Sequence, residues 1–367
     1  MTILLLGITV IPVWRRKIWY NLLRGNRMLG NIYGLDLGTY EVKVYDKKKD
    51  TIWTEKNAIA IENEDTIFSV GDEAYEMYEK APDNIEIVFP MKEGEISHFN
   101  DLQYLLQNLL KKGKRFARGS KYMIAVPTDV TEVQKRAFFD LVIHSTAKAK
   151  EVNIVERGIA DAVGIGLDVQ NEKGIFIANF GGEITELSVL SYGGLVLNRI
   201  VKVGGVTLDE AIVNRVRHNH DFLIGRLTAE TLRKEFGIFD DASDHTLSVA
   251  GRNLISGVPT QYDVSISLVR AAIKESLEEI SRSIKSLIER TPPEVLTEVK
   301  KKGIYMTGGL ANLRGLATYM EGATGLKVTL AKNPELSAVN GLKKIILSKE
   351  LQKLAYSMLD ENFRWMR

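Results

Sequence analysis

Tyr33-Gly34-Leu35-Asp36-Leu37-Gly38-Thr39-Tyr40-Glu41-Val42-Lys43-Val44-Tyr45 is the stretch on which the fold turns. Tyr33–Leu37 and Val42–Tyr45 read as strands joined by a tight turn at Gly38-Thr39, with Lys47–Asp50 a polar turn beyond. The same pattern returns at Gly174–Asn179 and Glu186–Leu190, around Gly181-Gly182. A third apolar strand, Gly303–Met306, runs into Thr307-Gly308-Gly309. A glycine turn lets backbone come close to an anion and aim N–H groups at it. Alone, such a turn is usually just a turn. Three at strand ends, the second echoing the first, point to two lobes built on related units and facing a cleft.

The intervening sequence alternates strand and helix signals. Ile52–Ile61 and Ile67–Val70 continue the strands, and Asn100–Leu110 is helical, with Asn100 and Gln103 spaced as a capping box and Gly113 as the stop. Tyr122–Val126 is a strand broken by Pro127, after which Asp129 with Glu132 caps a helix to about His144. Val152–Val155 leads into Glu156 and a small-residue helix around Ala160–Gly164. Thr207–Arg217 and Thr228–Phe236 read as helices, and Asp240–Asp244 as an acidic loop. The longest helix runs over Val264–Glu289, with Val269, Ile273, Leu277, Ile280, Ile284 and Leu287 as its buried stripe and Pro292-Pro293 ending it. A further helix starts near Leu313. The expected fold class is α/β, mixed sheets flanked by helices, with no flexible linker between the lobes.

Composition narrows the function. At 367 residues the chain exceeds one ordinary core, and 45% hydrophobic with 26% charged residues is a globular balance. A formal charge of +2 gives no case for nucleic acid. The absence of cysteine removes disulfides, thiolate metal sites and cysteine nucleophiles. His218 and His220, two residues apart on a helix, make a poor metal pair. The basic run Lys111, Lys112, Lys114, Arg115, Arg118 and Lys121 reads as a solvated helix end. Residues 1–27 stand apart: Ile3–Val13 is apolar, with Trp14, Arg15, Arg16, Lys17, Trp19 and Tyr20 after it. Two readings stay open, an interfacial membrane anchor or a mis-assigned start with translation beginning at Met28.

From about Met28 to Leu347 the chain resembles the actin-like ATPase superfamily and, within it, the bacterial actin MreB family. Gly34–Thr39 looks like the first phosphate loop, and Val126-Pro127 with Val130–Arg136 like the entry to a helix of the first lobe. Val203-Gly204-Gly205 with Leu208–Ile212, Leu223-Ile224-Gly225, Gly251-Arg252, Thr291–Glu294, and Gly303–Gly309 with Leu313–Leu316 complete the match. The resemblance implies an actin-like two-lobed fold: lobe I over 28–173 with an inserted subdomain about 57–90, lobe II over 174–340 with another about 211–262, and a C-terminal helix, 341–367, returning to lobe I. It implies ATP or ADP with Mg²⁺ between the lobes. Asp36, Gly38, Thr39 and Tyr40 would face the phosphates, and Asp36 and Asn179 would hold the metal through water. Gly181 and Gly182 match the second phosphate loop, flanked by Glu183 and Thr185, with Gly204 and Gly205 beyond. Gly308 and Gly309 match the adenosine loop, with Arg233 and Glu235 near base or ribose, and Glu156 matches the acid that orients the attacking water. Read without the resemblance, Glu156 is an acid at a helix start and Arg233 and Glu235 are ordinary helix charges.

The departures are as informative as the matches. Asn179 stands where the family has aspartate, Glu183 for a third glycine, Ile184 for threonine and Glu41 for asparagine, and the usual Glu-Glu-Pro reads Glu156-Arg157-Gly158. Glu41 and Glu183 bring carboxylates toward a polyphosphate, which repels unless a cation intervenes, while a shifted Glu183 is one way to recover the charge lost at Asn179. The resulting expectation is a cytoskeletal filament former, peripheral at the inner face of the cell membrane, working with cell-wall elongation proteins and hydrolysing ATP weakly. The rivals are a competent ATPase and a nucleotide-responsive or nucleotide-blind scaffold.

Overall fold

The computed structural model describes residues 30–112, 119–144, 149–237 and 245–359. The leader 1–27, the stop at Gly113, the basic residues 114–118 and the acidic loop 240–244 lie outside the described residues. Strand β1 (Ile32–Leu37) is buried along nearly its whole length, as a strand apolar on both faces must be. It pairs antiparallel with β2 (Glu41–Asp46), which pairs with β3 (Thr51–Lys56). Three short strands follow, β4 (Ile59–Glu62), β5 (Thr66–Val70) and β6 (Ile85–Val88), in a small sheet of their own with helix α1 (Asp72–Glu76). A two-stranded ribbon, β7 (Met91–Lys92) and β8 (Glu95–Ile96), precedes α2 (Phe99–Lys112). Then β9 (Lys121–Val126), α3 (Glu132–Ile143), β10 (Glu151–Glu156) and α4 (Arg157–Gly164) close the first sheet, in the order β10-β9-β1-β2-β3.

The second sheet repeats the first. Strands β11 (Ile175–Phe180), β12 (Thr185–Ser191) and β13 (Gly194–Val201) form an antiparallel meander, like β1-β2-β3. Helices α5 (Gly205–His220) and α6 (Arg226–Phe236) and a three-stranded sheet of β14 (Phe222–Leu223), β15 (Thr246–Asn253) and β16 (Pro259–Ser265) intervene. After α7 (Ile266–Arg290) and α8 (Pro293–Lys302), β17 (Ile304–Thr307) adds parallel to β11, as β9 does to β1. Helix α9 (Leu316–Thr324) leads to β18 (Val328–Leu330), parallel to β17, and α10 (Ser337–Leu347) follows. The order β18-β17-β11-β12-β13 is that of the first sheet, so the echo in sequence is a repeat of topology.

Each sheet has its own core, and a third apolar cluster joins them. In it Ile159 and Val163 of α4 and Leu342 and Ile346 of α10 pack against Tyr45 and Met123 on one side and Ile177 and Leu190 on the other. The expected stripe of α7 is buried in the second core.

Three local expectations change. Asn100 sits inside α2, which begins at Phe99, and the Gln103 amide donates to the Leu141 carbonyl at 3.1 Å. The cap of α3 is Thr131, whose hydroxyl accepts from the Gln134 N–H while the Gln134 side chain accepts from the Thr131 N–H at 2.6 Å. Asp129 accepts from the Ile200 N–H across the molecule. Beyond α10 the chain is not one helix: Tyr356 pairs antiparallel with Ile154, at the edge of the first sheet.

Candidate functional site

Asp36 and Asn179 hold the same place, next to last in β1 and β11, and their cross-strand partners are Lys43 and Glu186. All four line one cleft of about 450 Å³ between the sheets, a size that suits a small ligand. The turns bordering it are matched as well. The Gly38 N–H donates to the Glu41 carbonyl at 3.0 Å and the Gly181 N–H to the Ile184 carbonyl at 2.9 Å. A Cβ on either glycine would lie 2.8 Å from that same carbonyl, so glycine is what closes both turns. Gly308, at φ 86°, packs so close that a Cβ would come within 2.3 Å of the Phe180 carbonyl. Sterics thus explain these glycines first, and the result is bare backbone on three sides of the cleft.

The floor comes from α4. Arg157 and Asp161, four apart, share one helical face and both line the cleft. The Arg157 guanidinium is buried. Its Nη1 donates to Glu186, its Nη2 to the Leu37 carbonyl at 3.0 Å, and its Nε lies 3.4 Å from Asp36 without a hydrogen bond. Burial opposes that charge, but Glu186 and Asp36 outweigh it and hold the proton on more tightly than usual. Asp161 is 0% exposed, and its Oδ2 accepts from the Asn179 amide at 2.7 Å while Oδ1 has no partner. Burial pushes its carboxyl up to about 7, with Asn179 working against the shift. Lys43 Nζ lies 3.9 Å from Asp36 and 3.8 Å from Glu41, and Lys56 also binds Glu41 at 2.5 Å. Glu41 therefore enters the cleft already paired with cations.

The structure gathers Asp36, Gly38, Thr39, Tyr40, Asn179, Gly181, Gly182, Gly205, Arg233, Gly308 and Gly309 at this cleft. Arg233 is no surface charge: it is buried and grips Asp209 with two hydrogen bonds, 2.6 and 3.2 Å. Five expected residues lie elsewhere. Glu156 faces away, its carboxylate held by Lys135 at 2.8 Å and the Tyr356 hydroxyl at 2.9 Å, because the strand-to-helix junction turns the next residue, Arg157, inward. Glu183 does not line the cleft; its carboxylate accepts the Glu93 N–H at 2.5 Å on the β7–β8 turn. The Thr185 hydroxyl is spent on the Val203 carbonyl at 2.8 Å. Gly204 backs the second turn, where a Cβ would meet Glu183 backbone at 2.6 Å. Glu235 is engaged through its carbonyl, by Arg314 at 2.7 Å. Lys43, Arg157, Asp161, Glu186, Asp209 and Glu230 were not anticipated. Lys43 had a signal, a charge inside the apolar run Val42–Tyr45, and Arg157 and Asp161 had helical spacing.

Two sheets of one topology, joined by packed helices over a cleft at the ends of their central strands, define the actin-like fold. The chain belongs to the MreB/Mbl family, whose model, MreB/Mbl protein, matches residues 30–354. It is 32% identical over 323 residues to the cell shape-determining protein MreB of Escherichia coli (strain K12), covering 86% of this chain and 92% of that protein. It is 30% identical over 311 residues to the cell shape-determining protein Mbl of Bacillus subtilis (strain 168), covering 84% and 93%. Among solved structures, MreB5 of Spiroplasma citri bound to ADP superposes with a TM-score of 0.83 at 26% identity, over 88% of this chain and 98% of that one. The MamK double helical filament shares the fold, with a TM-score of 0.73 at 20% identity over 87% and 99%.

Backbone turns from both sheets and the cations Lys43, Arg157, Arg233 and Lys234 line this cleft and are donors suited to a polyphosphate, although the acids Asp36, Glu41, Glu186, Asp209 and Glu230 that pair with those cations line it too. A hydrated Mg²⁺ on Asp36 and Asn179 does not fit as expected. Asp36 already lies beside two cations, and Asn179 carries no charge and gives its N–H to Asp161.

Proposed function

We propose that this chain is an MreB-type cytoskeletal protein that binds ATP or ADP in the cleft and associates into filaments. The observation that carries the nucleotide reading is the convergence of three glycine turns, from both sheets, on one cavity. Titration calorimetry with ADP tests it, and heat-silent mixing at high concentration with and without metal would remove it. Self-association is supported by the actin-like fold, because head-to-tail contacts of one surface with another propagate. Above a critical concentration the protein should pellet and form linear filaments by electron microscopy; a monomer with nucleotide, metal and lipid all supplied would sink this reading. Work at the inner face of the membrane with cell-wall elongation proteins is supported by relatives called cell shape-determining. No helix among the described residues is long and apolar enough to cross a membrane. The proposed membrane contact is peripheral, with residues 1–27 as its foot, and deleting them should abolish binding to anionic vesicles.

Division into two lobes near 173, with inserts at about 57–90 and 211–262, is part of the same proposal. Within it, α4 and α10 are the pivot and the residues of the cleft bind and orient the nucleotide. Hydrolysis needs a group that positions water at the terminal phosphate. Glu156 is turned away, and the cation Arg157 holds the inward place. That observation favours the second reading, a nucleotide-binding scaffold without appreciable ATPase activity, and phosphate release under saturating ATP distinguishes it from a motor.

A further inference from the structure

Resting on that nucleotide reading, we infer that Arg157, with Lys43, takes the place of the divalent cation, so that this chain holds a nucleotide polyphosphate without requiring Mg²⁺. The two side chains bring two positive charges, shared with the carboxylates of Asp36, Glu41 and Glu186 that pair with them. They sit on either side of Asp36, at 3.4 and 3.9 Å, and Arg157 is anchored a second time by Glu186 from the opposite sheet. Both sheets thus grip one fixed cation, as they would grip a bound metal. Mg²⁺ keeps most of its waters and demands near-octahedral geometry, so placing it at Asp36 would set it against two positive groups with little room to move them.

Nor is the opposite strand end a better seat. Asn179 is neutral, and its amide is committed to the buried Asp161, to which it donates at 2.7 Å. Among the described residues no group of three or more His, Cys, Asp or Glu side chains is arranged to hold a metal. A phosphate, by contrast, is what a guanidinium recognises, with a planar fork of donors and a charge that cannot be lost. Both residues line the cleft: the Arg157 Nε–H is unbonded but sealed from solvent against Asp36, while the Lys43 ammonium lies 3.9 and 3.8 Å from Asp36 and Glu41, beyond hydrogen-bond distance, with donors free to turn. The rival account is a strut: Arg157 merely pins the Leu37 carbonyl to Glu186 and stiffens the junction of the sheets.

The test is ADP titration of the full chain by calorimetry, once with excess Mg²⁺ and once with excess EDTA, for wild type, Arg157→Gln and Lys43→Met, with thermal melts of each. Wild-type affinities should agree within about 3-fold between the two conditions. Arg157→Gln should lose about 10-fold or more in EDTA and recover most of it with Mg²⁺, since removing one charge-assisted contact to phosphate is typically worth that much. Recovery by metal with a melting temperature that stays at the wild-type value in EDTA is what a strut would not give. A wild type that loses about 10-fold or more in EDTA overturns this inference and leaves nucleotide binding standing. Binding that ignores metal in wild type and in both variants overturns the role of Arg157 and Lys43. Absence of binding under every condition overturns the nucleotide reading itself.

Discussion

Asp161 is a carboxyl 0% exposed with one oxygen unpartnered, and it has a consequence for stability. Its ordinary value is near 4, and burial pushes it up to about 7 in the fold. Between those values the folded chain binds a proton that the unfolded chain does not. Stability from this group is therefore complete below about pH 4 and falls as pH rises toward 7. Asp161→Asn keeps an acceptor for Asn179 and removes the titration. It should gain on wild type by on the order of 1–3 kcal/mol between pH 5 and pH 8 in urea unfolding, and an equal difference at both pH values would refute the assignment. What the sequence showed at this scale was local. Asp36, Gly38, Gly181 and Gly308 were legible because strand-turn chemistry depends on near neighbours. Glu156 was misplaced by one residue, since whether the last strand residue or the first helical one points inward depends on how the junction packs. Helical spacing puts Asp161 on the face of Arg157, but its pairing with Asn179, eighteen positions away, has no local signal.

Helices α4 and α10 cross where each has a glycine. A Cβ on Gly164 would stand 1.9 Å from the Ser337 carbonyl, and one on Gly341 would stand 1.8 Å from the Ala160 carbonyl. The backbones touch, which fixes the distance between the two sheets. Gly341→Ala should improve helix propensity by about 1 kcal/mol yet lower overall stability by about 1–3 kcal/mol, because the added methyl must wedge the pair apart. The same wedge moves α4, so ADP affinity should fall with the melting temperature; a variant as stable as wild type would mean the crossing can relax. Element existence was plain in the periodicity, as the stripe from Val269 to Leu287 illustrates, because core burial imposes it. Ends were less plain. Asp129 and Thr131 are both sound caps by composition, and only the reciprocal bonds with Gln134 select Thr131. The glycines of α4 and α10 read as mild helix weakeners, since nothing local announces a partner helix.

Taken whole, the molecule is closed on one side of the cleft by α4 and α10 and on the other by a clasp that no local pattern foretells. Glu230 on α6 accepts from the Tyr40 hydroxyl at 2.9 Å and the Tyr75 hydroxyl at 3.3 Å, joining residues 190 and 155 positions apart. Glu79, just beyond α1, accepts the Arg226 and Leu227 N–H groups at 2.6 and 3.2 Å, capping the start of α6 from 147 positions away in the chain. The Arg226 guanidinium lies 4.5 Å over the Tyr78 ring beside it. Any opening about the α4–α10 pair must break these contacts, so the clasp should set the rate at which nucleotide leaves. Glu79 does not line the cleft, which makes it the cleaner site to alter. Glu79→Ala should raise the dissociation rate of a fluorescent ADP analogue about 3- to 10-fold, the scale of one lost helix cap, while the association rate changes little. Stopped-flow displacement measures both rates, and small-angle scattering should show a larger radius for the nucleotide-free variant. An unchanged dissociation rate would mean that opening occurs elsewhere, at the β7–β8 turn where Glu183 and Lys202 meet Glu93.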